Sequence, residues 1–259
     1  MGKQPSCVAI IPARGGSKSI QKKNLVPVFG KPLITWSIEV AKRCRNIERV
    51  IVSTDCNDIA QVAKSAGAEV PFMRPERFAT DSSLDLEVFL HAACWLAKHE
   101  GEVPAFFAHL RPTEPARVPG IVESAISSAT RDEAADSLRS VNIAEQTPFK
   151  MWFMDDAYLS PVLNPSGDLT TCSMPRQELP IAYHQNGYID VIKVTTITEK
   201  HSMVGDLVRA FVISDPITSI DYYSDIPRAE EELRRICLLG GDYRNGDVEG
   251  RSVENEHPR

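Results

Sequence analysis

The stretch CVAIIPARGGSKSIQKKNL, residues 7–25, opens with a continuous apolar run, Cys7 to Ile11, that ends at Pro12. A short apolar run of this kind predicts a buried β-strand, and the polar, basic, glycine-containing segment after it predicts a loop. Residues 32–43, PLITWSIEVAKR, then place apolar side chains at helical spacing after an initial proline. Because open α/β sheets bind ligands at the carboxyl ends of their strands, this first loop is the expected ligand site.

The same alternation continues along the chain. Apolar runs predict further strands at residues 49–53, 69–72, 105–110, 137–141, 187–194 and 208–213. Helical spacing predicts helices at residues 58–66, 84–99, 121–129 and 226–239. Strands that alternate with helices through short loops indicate βαβ crossovers. We therefore expect an α/β fold, with a Rossmann-like, mainly parallel sheet flanked by helices.

Two segments depart from this pattern. Between about residues 147 and 183 the apolar spacing becomes irregular and prolines recur, which predicts a small inserted arm. Residues 240–259 are polar and nearly free of aliphatic side chains, so they cannot bury enough apolar surface to offset chain entropy. The expected organisation is one domain over residues 1–239, including the arm, followed by a disordered polar tail.

Composition excludes several classes of protein. The formal net charge of −6 argues against a sequence-independent nucleic-acid binder, which is usually basic. The six cysteines are scattered, as expected of reduced thiols in a cytosolic protein. The apolar run near the N-terminus is too short for a signal peptide or a membrane span. We therefore expect a cytoplasmic protein with neither a nucleic-acid nor a membrane partner.

The loop after the first strand carries the residues best suited to chemistry. It matches neither the Walker pattern G-x-x-x-x-G-K-[ST] nor G-x-G-x-x-G. Gly15 and Gly16 let backbone N–H groups approach an anion, and the accompanying cations are Arg14, Lys18, Lys22 and Lys23. Fixed donors combined with cations suit a triphosphate whose pyrophosphate departs. A solvated basic turn explains the same composition equally well.

The string IPARGGSKSIQKKNL, residues 11–25, resembles the opening signature of the CMP-sugar acid synthetases, and especially of the N-acylneuraminate cytidylyltransferases. The similarity continues in order over roughly Val8 to Leu233. Its further blocks are KPLITWSIEVAK, VIVSTDCNDIA, RPERFATDSS, LRPTEPAR, TPFK, PRQELP, NGYIDVI and SIDYYSDIPRAE. The resemblance implies a nucleotidyltransferase domain over residues 1–239. It also implies transfer of CMP from CTP to an acidic keto-deoxy sugar of the sialic acid type, with release of pyrophosphate.

The resemblance also implies roles for individual residues. The nucleotide would be held by Arg14, Gly15, Gly16, Ser17, Lys18, Lys23, Asn24, Arg74, Asp81 and Ser82. The acceptor would be held by Arg111, Lys150, Arg176, Gln177, His184 and Asn186. Arg14, Lys18 and Asp221 would be catalytic, with Asp221 binding Mg²⁺. The arm would form a homodimer, with a tetramer left open. The structural alternatives are surface salt bridges for Arg74 and Arg176 and a solvated turn for Lys150.

Three departures from the pattern of this family involve four positions. Tyr223 replaces the second aspartate of S-I-D-I-D, which leaves Asp221 for the metal and Asp225 as a displaced substitute. L-Q-P-T-S-P becomes LRPTEP, so that Arg111 and Glu114 bring charge to the acceptor side. His184 stands where a basic residue is common, and a histidine holds a carboxylate more weakly than an arginine does.

These departures leave the acceptor open. The same chemistry on an eight-carbon keto-deoxy sugar acid or a phosphonate, or with GTP in place of CTP, is the nearer alternative. A non-catalytic nucleotide-binding protein is the more distant alternative, and Tyr223 is the feature that motivates it.

Overall fold

A single six-stranded sheet forms the centre of the computed structural model, which describes residues 5–164, 167, 169–215 and 217–238. The strands are β1 Cys7–Pro12, β2 Pro27–Val28, β3 Lys31–Pro32, β4 Arg49–Ser53, β5 Phe106–His109, β6 Ser137–Ile143, β7 Trp152–Asp155, β8 Tyr158–Pro161, β9 Tyr183–Lys193 and β10 Val208–Val212. The order across the large sheet is β10-β6-β9-β5-β1-β4. Neighbouring strands are parallel except around β9, which is antiparallel to both β5 and β6. The expected mainly parallel sheet is confirmed.

Helices cover both faces of this sheet. They are α1 Leu33–Arg43, α2 Asn57–Ser65, α3 Asp85–Glu100, α4 Pro119–Arg131, α5 Thr170–Ser173, α6 Val194–Thr198 and α7 Ile226–Leu238. Successive strand residues point to opposite faces. Accordingly, Ile11 packs into the apolar core beneath α1, α2 and α4, whereas Ile10 packs into the core beneath α3 and α6. A third cluster, which includes Ile20, Trp36 and Leu233, fixes the loop after β1 against α1 and α7.

Most predicted elements agree with the structure to within two residues, but two strands differ. The strand expected at residues 69–72 does not form: two isolated bridges flank this segment, from Glu69 to Ile51 and from Met73 to Thr54. Pro71 lies between these bridges, and proline has no N–H with which to continue a ladder. The strand expected at 187–194 instead begins at Tyr183, because its first residues pair with the end of β6. The predicted disorder of residues 240–259 lies outside the described residues.

The arm between β6 and β9 contains a hairpin. Strands β7 and β8 are antiparallel, with Trp152 opposite Pro161 at one end and Asp155 opposite Tyr158 at the other. Large apolar side chains on it remain exposed, including Phe153 at 61%, Met154 at 76% and Tyr158 at 82%. A projecting hairpin with unburied apolar side chains is consistent with the inserted arm that the irregular sequence predicts.

Candidate functional site

The loop after β1 begins at the carboxyl edge of the sheet, and its two adjacent glycines, Gly15 and Gly16, have different roles. The N–H of Gly15 donates to Asp55 Oδ1 at 2.8 Å, and a Cβ at Gly15 would lie 2.8 Å from Cys56 Cβ. Gly15 therefore allows close packing against the start of α2, and its N–H is already used. Gly16 has open space around it and lines the adjacent cleft.

That cleft encloses about 440 Å³ above the carboxyl ends of β1 and β5. Its walls come from the loop, the turn before α3 and the segment after β5. Among the residues implied by the resemblance, those that line it are Arg14, Gly16, Ser17, Lys18, Lys23, Asn24, Arg74, Asp81 and Arg111. Gly15 and Ser82 are not among its lining residues, although Ser83 is. The structure thus gathers most of the proposed nucleotide residues around one volume.

Carboxylates neutralise the loop cations in this state. Asp81 contacts Arg14 Nη1 at 2.8 Å and Lys18 Nζ at 2.7 Å, and the hydrogen bond from Lys18 is the main cause of its lowered pKa. Lys23 Nζ donates to Asp221 Oδ1 at 2.9 Å. Lys22 instead pairs with Asp58 and does not line the cleft. An entering polyanion must replace Asp81 and Asp221 as the partner of these cations.

Asp81→Asn is expected to tighten binding of inorganic tripolyphosphate about two- to fivefold at low ionic strength. The reason is that an amide competes less well than a carboxylate for Arg14 and Lys18, and the gain is small because exposed ion pairs of this kind contribute little. Isothermal titration calorimetry measures the change. Asp58→Asn is the matched control, because it removes the same charge from the exposed Lys22 pair outside the cleft. Weaker binding in Asp81→Asn alone would place its carboxylate among the groups that hold the ligand.

Arg74 and Asn24 are fixed by the protein itself. Arg74 is 6% exposed and donates to Ser53 Oγ at 3.1 Å and to the Ser53 carbonyl. Burial lowers the pKa of Arg74 to about 10. The alternative of a surface salt bridge for Arg74 is therefore wrong. Asn24 Nδ2 donates to the Arg14 carbonyl at 3.0 Å, which braces the loop from within.

The residues proposed for the acceptor are not gathered in one place. Arg111 lines the cleft, but Lys150, Arg176, Gln177 and His184 are exposed side chains on or beside the arm and do not line it. Lys150 ends a 3₁₀ turn that begins at Pro148. Arg176 Nη2 donates to the Ala144 carbonyl at 3.1 Å. Within this single chain, these four side chains lie apart from the cleft.

Asn186 and Glu114 serve the fold. Asn186 Nδ2 donates to Asn142 Oδ1, and Asn186 Oδ1 accepts from Ser140 Oγ, both at 2.6 Å. Glu114 is 4% exposed and pairs with the buried guanidinium of Arg117. Burial raises the pKa of Glu114. The expectation that Glu114 brings charge to the acceptor side is wrong, because its carboxylate is enclosed beneath Gly187.

Gly187→Ala is expected to lower the free energy of unfolding by about 2–4 kcal/mol. Gly187 has a φ of +70°, and a side chain in this backbone conformation costs about 1 kcal/mol. A Cβ at this position would also lie 2.8 Å from Glu114 Oε1, and this overpacking adds roughly 1–3 kcal/mol. Denaturant titration followed by circular dichroism gives the value. The control is Gly101→Ala, with φ of +80° and open space around it, which should lose only the first contribution. Equal losses in the two variants would contradict a steric role for Glu114.

The acidic segment beside the loop offers one exposed carboxylate for a metal. Asp221 has a side chain that is 61% exposed. Asp225 Oδ2 accepts the backbone N–H groups of Asp221 and Tyr222 at 2.9 and 2.7 Å, so it caps the 3₁₀ turn Tyr223–Asp225 before α7 and does not replace the missing aspartate. No group of three candidate ligands occurs within the described residues. Since Mg²⁺ needs only one or two carboxylates when phosphate oxygens and water complete its shell, Asp221 fits such a site.

The sequence patterns do not predict several charged or polar residues that lie in or near the cleft. Asp85 and His109 line it directly, and Asp190 and Arg139 lie behind Arg111. The available signals were a histidine inside the apolar run AFFAHL and an aspartate inside the apolar run GYIDVI. A charged group in a predicted core strand requires a partner, and the sequence does not identify that partner.

Comparison with known proteins places these features in a class. Residues 8–92 match a family model described as Cytidylyltransferase. An N-acylneuraminate cytidylyltransferase of Escherichia coli is 40% identical over 110 residues, which are 42% of this chain and 25% of that protein. A CMP-N,N'-diacetyllegionaminic acid synthase of Legionella pneumophila is 39% identical over 122 residues, 46% of this chain and 51% of that protein. The aligned segments thus span between a quarter and about half of these relatives.

A solved structure extends the likeness to the whole fold. CMP:2-keto-3-deoxy-manno-octonic acid synthetase complexed with CTP superposes on 91% of this chain and 99% of that one, with a TM-score of 0.63 and 18% identity. The sheet and its basic loop therefore define a protein with the nucleotidyltransferase fold. Over part of its length the chain is similar to cytidylyltransferases, among them an N-acylneuraminate cytidylyltransferase and a CMP-N,N'-diacetyllegionaminic acid synthase. Within the described part of the chain, no helix has the length and apolarity needed to cross a bilayer.

Proposed function

We propose that the chain is a cytidylyltransferase that transfers CMP from CTP to an acidic keto-deoxy sugar and releases pyrophosphate. The observation that carries the proposal is the clustering of Arg14, Lys18, Lys23 and Arg111 around one cleft. This arrangement suits a polyanion bound together with a second anionic substrate. The relatives named above activate sugar acids of this kind, which supports the choice of acceptor.

The residues act by position and charge. The acceptor hydroxyl attacks the α-phosphorus, a new P–O bond forms, the bond to the bridging oxygen breaks, and the hydroxyl proton passes to solvent. Arg14, Lys18 and Lys23 stabilise the negative charge that grows on the departing pyrophosphate. Asn24 holds the loop carbonyl of Arg14 in place. Asp221 would hold Mg²⁺, which, when bound, withdraws charge from the phosphate oxygens.

Pyrophosphate release with CTP, Mg²⁺ and a panel of acceptors tests this function. The panel contains N-acetylneuraminate, 3-deoxy-manno-octulosonate, a phosphonate and a neutral sugar, and GTP replaces CTP in a parallel series. Release that depends on CTP and on a sugar acid is the expected result. Release that requires the eight-carbon acid, the phosphonate or GTP would select the nearer alternative. Tight CTP binding without turnover on any acceptor would identify a non-catalytic nucleotide-binding protein.

The arm supports a proposal about assembly. Its exposed apolar side chains, with Phe153, Met154 and Leu159 among them, would be covered in a homodimer, and the same contact would bring the basic residues of the arm to the cleft of the partner. Met154→Glu together with Leu159→Glu should convert a dimer to a monomer in light-scattering measurements. A cytoplasmic location is part of the same proposal.

A further inference from the structure

A row of polar residues crosses the sheet at the base of the cleft. His109 on β5 lies opposite Asp190 on β9, and Asp190 in turn lies opposite Arg139 on β6. Direct cross-strand partners project on the same face of a sheet, so these three side chains share one face. Asp85, the first residue of α3, approaches the same row.

Asp190 is the centre of this row and binds two arginines. It is 1% exposed, its Oδ2 lies 2.9 Å from Arg111 Nη2, and its Oδ1 lies 3.1 Å from Arg139 Nε. Asp85 Oδ2 lies 3.5 Å from the same Arg111 Nη2. Both carboxylates therefore approach Arg111 through one nitrogen. Because each arginine binds a separate oxygen of Asp190, the position of Arg139 helps to determine the position of Arg111.

The other terminal nitrogen of Arg111 lacks a protein partner. Nη1 is buried without a hydrogen bond to any described residue, and so are both ring nitrogens of His109. A buried polar group without a hydrogen-bond partner destabilises the protein, and a bound ligand can supply the missing partner. Burial, reinforced by Arg111, Arg117 and Arg139, lowers the pKa of His109 well below its usual value. A neutral imidazole suits a hydroxyl group beside an anion better than it suits a second anion.

We propose that Asp190 and Arg139 are positioning residues, which hold Arg111 so that its Nη1 receives the carboxylate of the acceptor at the base of the cleft. This inference rests on the proposed function, and it specifies the acceptor as an acid whose carboxylate binds directly to the protein. Arg111 binds the ligand, whereas Asp190 and Arg139 act by holding Arg111 in position.

The test compares acid and amide forms of one acceptor. The acid is whichever panel member gives the highest turnover, and its carboxamide is the second substrate. In Arg139→Gln, which alters a partly exposed side chain, the KM for the acid should rise about tenfold, as expected for a charge-assisted hydrogen bond that loses its geometry. The KM for CTP and the KM for the amide should stay unchanged. Arg139→Lys, which can still donate to Asp190, should recover most of the affinity for the acid.

The outcomes separate this inference from the proposed function. A fall in turnover together with equal rises in both KM values would assign Arg139 a merely structural role and overturn the inference. Equal KM values of the wild-type enzyme for the acid and the amide would also overturn the inference. Pyrophosphate release with CTP would still uphold the proposed function in that case. Asp190→Asn provides the second variant, with a larger rise in the KM for the acid and the same unchanged KM for CTP. No pyrophosphate release with any acceptor would overturn the function, and the inference with it.

Discussion

Arg14→Ala is expected to lower pyrophosphate release by about two to three orders of magnitude, which is the usual cost of losing one preorganised charge stabiliser. The guanidinium lies beside the cleft, donates to the Thr80 carbonyl at 2.8 Å and pairs with Asp81. It is therefore held in place before the nucleotide arrives. Because charge develops on pyrophosphate mainly in the transition state, the loss should fall on kcat more than on the KM for CTP.

The chain offers a matched control for this experiment within the same loop. Lys22→Ala removes a cation of the same segment, but Lys22 pairs with Asp58 and does not line the cleft. It should retain nearly full turnover, whereas Lys18→Ala should resemble Arg14→Ala. Turnover near wild type in Arg14→Ala and Lys18→Ala would remove the assignment of the triphosphate to this loop.

Asp221→Ala is expected to abolish magnesium-dependent turnover, the second large effect. Asp221 is an exposed carboxylate beside the loop, and its contact with Lys23 Nζ places it where triphosphate oxygens would complete the metal shell. A magnesium titration of pyrophosphate release measures the effect. The loss of the Lys23 pair is tested separately by Lys23→Ala, which should lower turnover while leaving a magnesium response.

Two further variants test whether the metal site lies at Asp221. Tyr223→Asp should lower the magnesium concentration needed for half-maximal rate. Tyr222 between the two positions is extended, with φ −129° and ψ 162°, so residues 221 and 223 project to the same side. Asp225→Asn should reduce stability, because it weakens the cap of the 3₁₀ turn Tyr223–Asp225 that leads into α7, and leave the magnesium response unchanged. An Asp221→Ala enzyme with an unchanged magnesium titration would locate the ion elsewhere.

Local patterns were sufficient to predict much of this fold. The run Cys7 to Ile11 and the spacing in residues 32–43 identified β1 and α1, because burial and helical periodicity leave direct traces in a short window. The cations of the loop were found in the same way. The strand predicted at residues 69–72 does not form. An apolar run indicates burial, but it does not reveal whether a partner strand can pair along its length.

Long-range pairing could not be predicted. The reversed strand β9 enters the sheet after the arm, and its position between β5 and β6 depends on contacts that no local window contains. The pairing of Arg111 with Asp190 joins residues 79 positions apart. Likewise, the sequence marked Glu114 as an added charge near the acceptor, but only the buried Arg117 beside it explains why that charge is tolerated.

The irregularity in β9 has a consequence for how this chain can vary. Residues 183–185 pair with the end of β6, and residues 190–192 pair with its beginning, so four residues of β9 face Ser140 alone. Ser140 Oγ accepts the N–H of Ile189 and donates to Asn186, which pins this bulge. The two parts of the strand therefore have separate registers. An insertion or deletion on the arm side leaves Asp190 in register with His109 and Arg139, so the arm and the cleft floor can diverge independently.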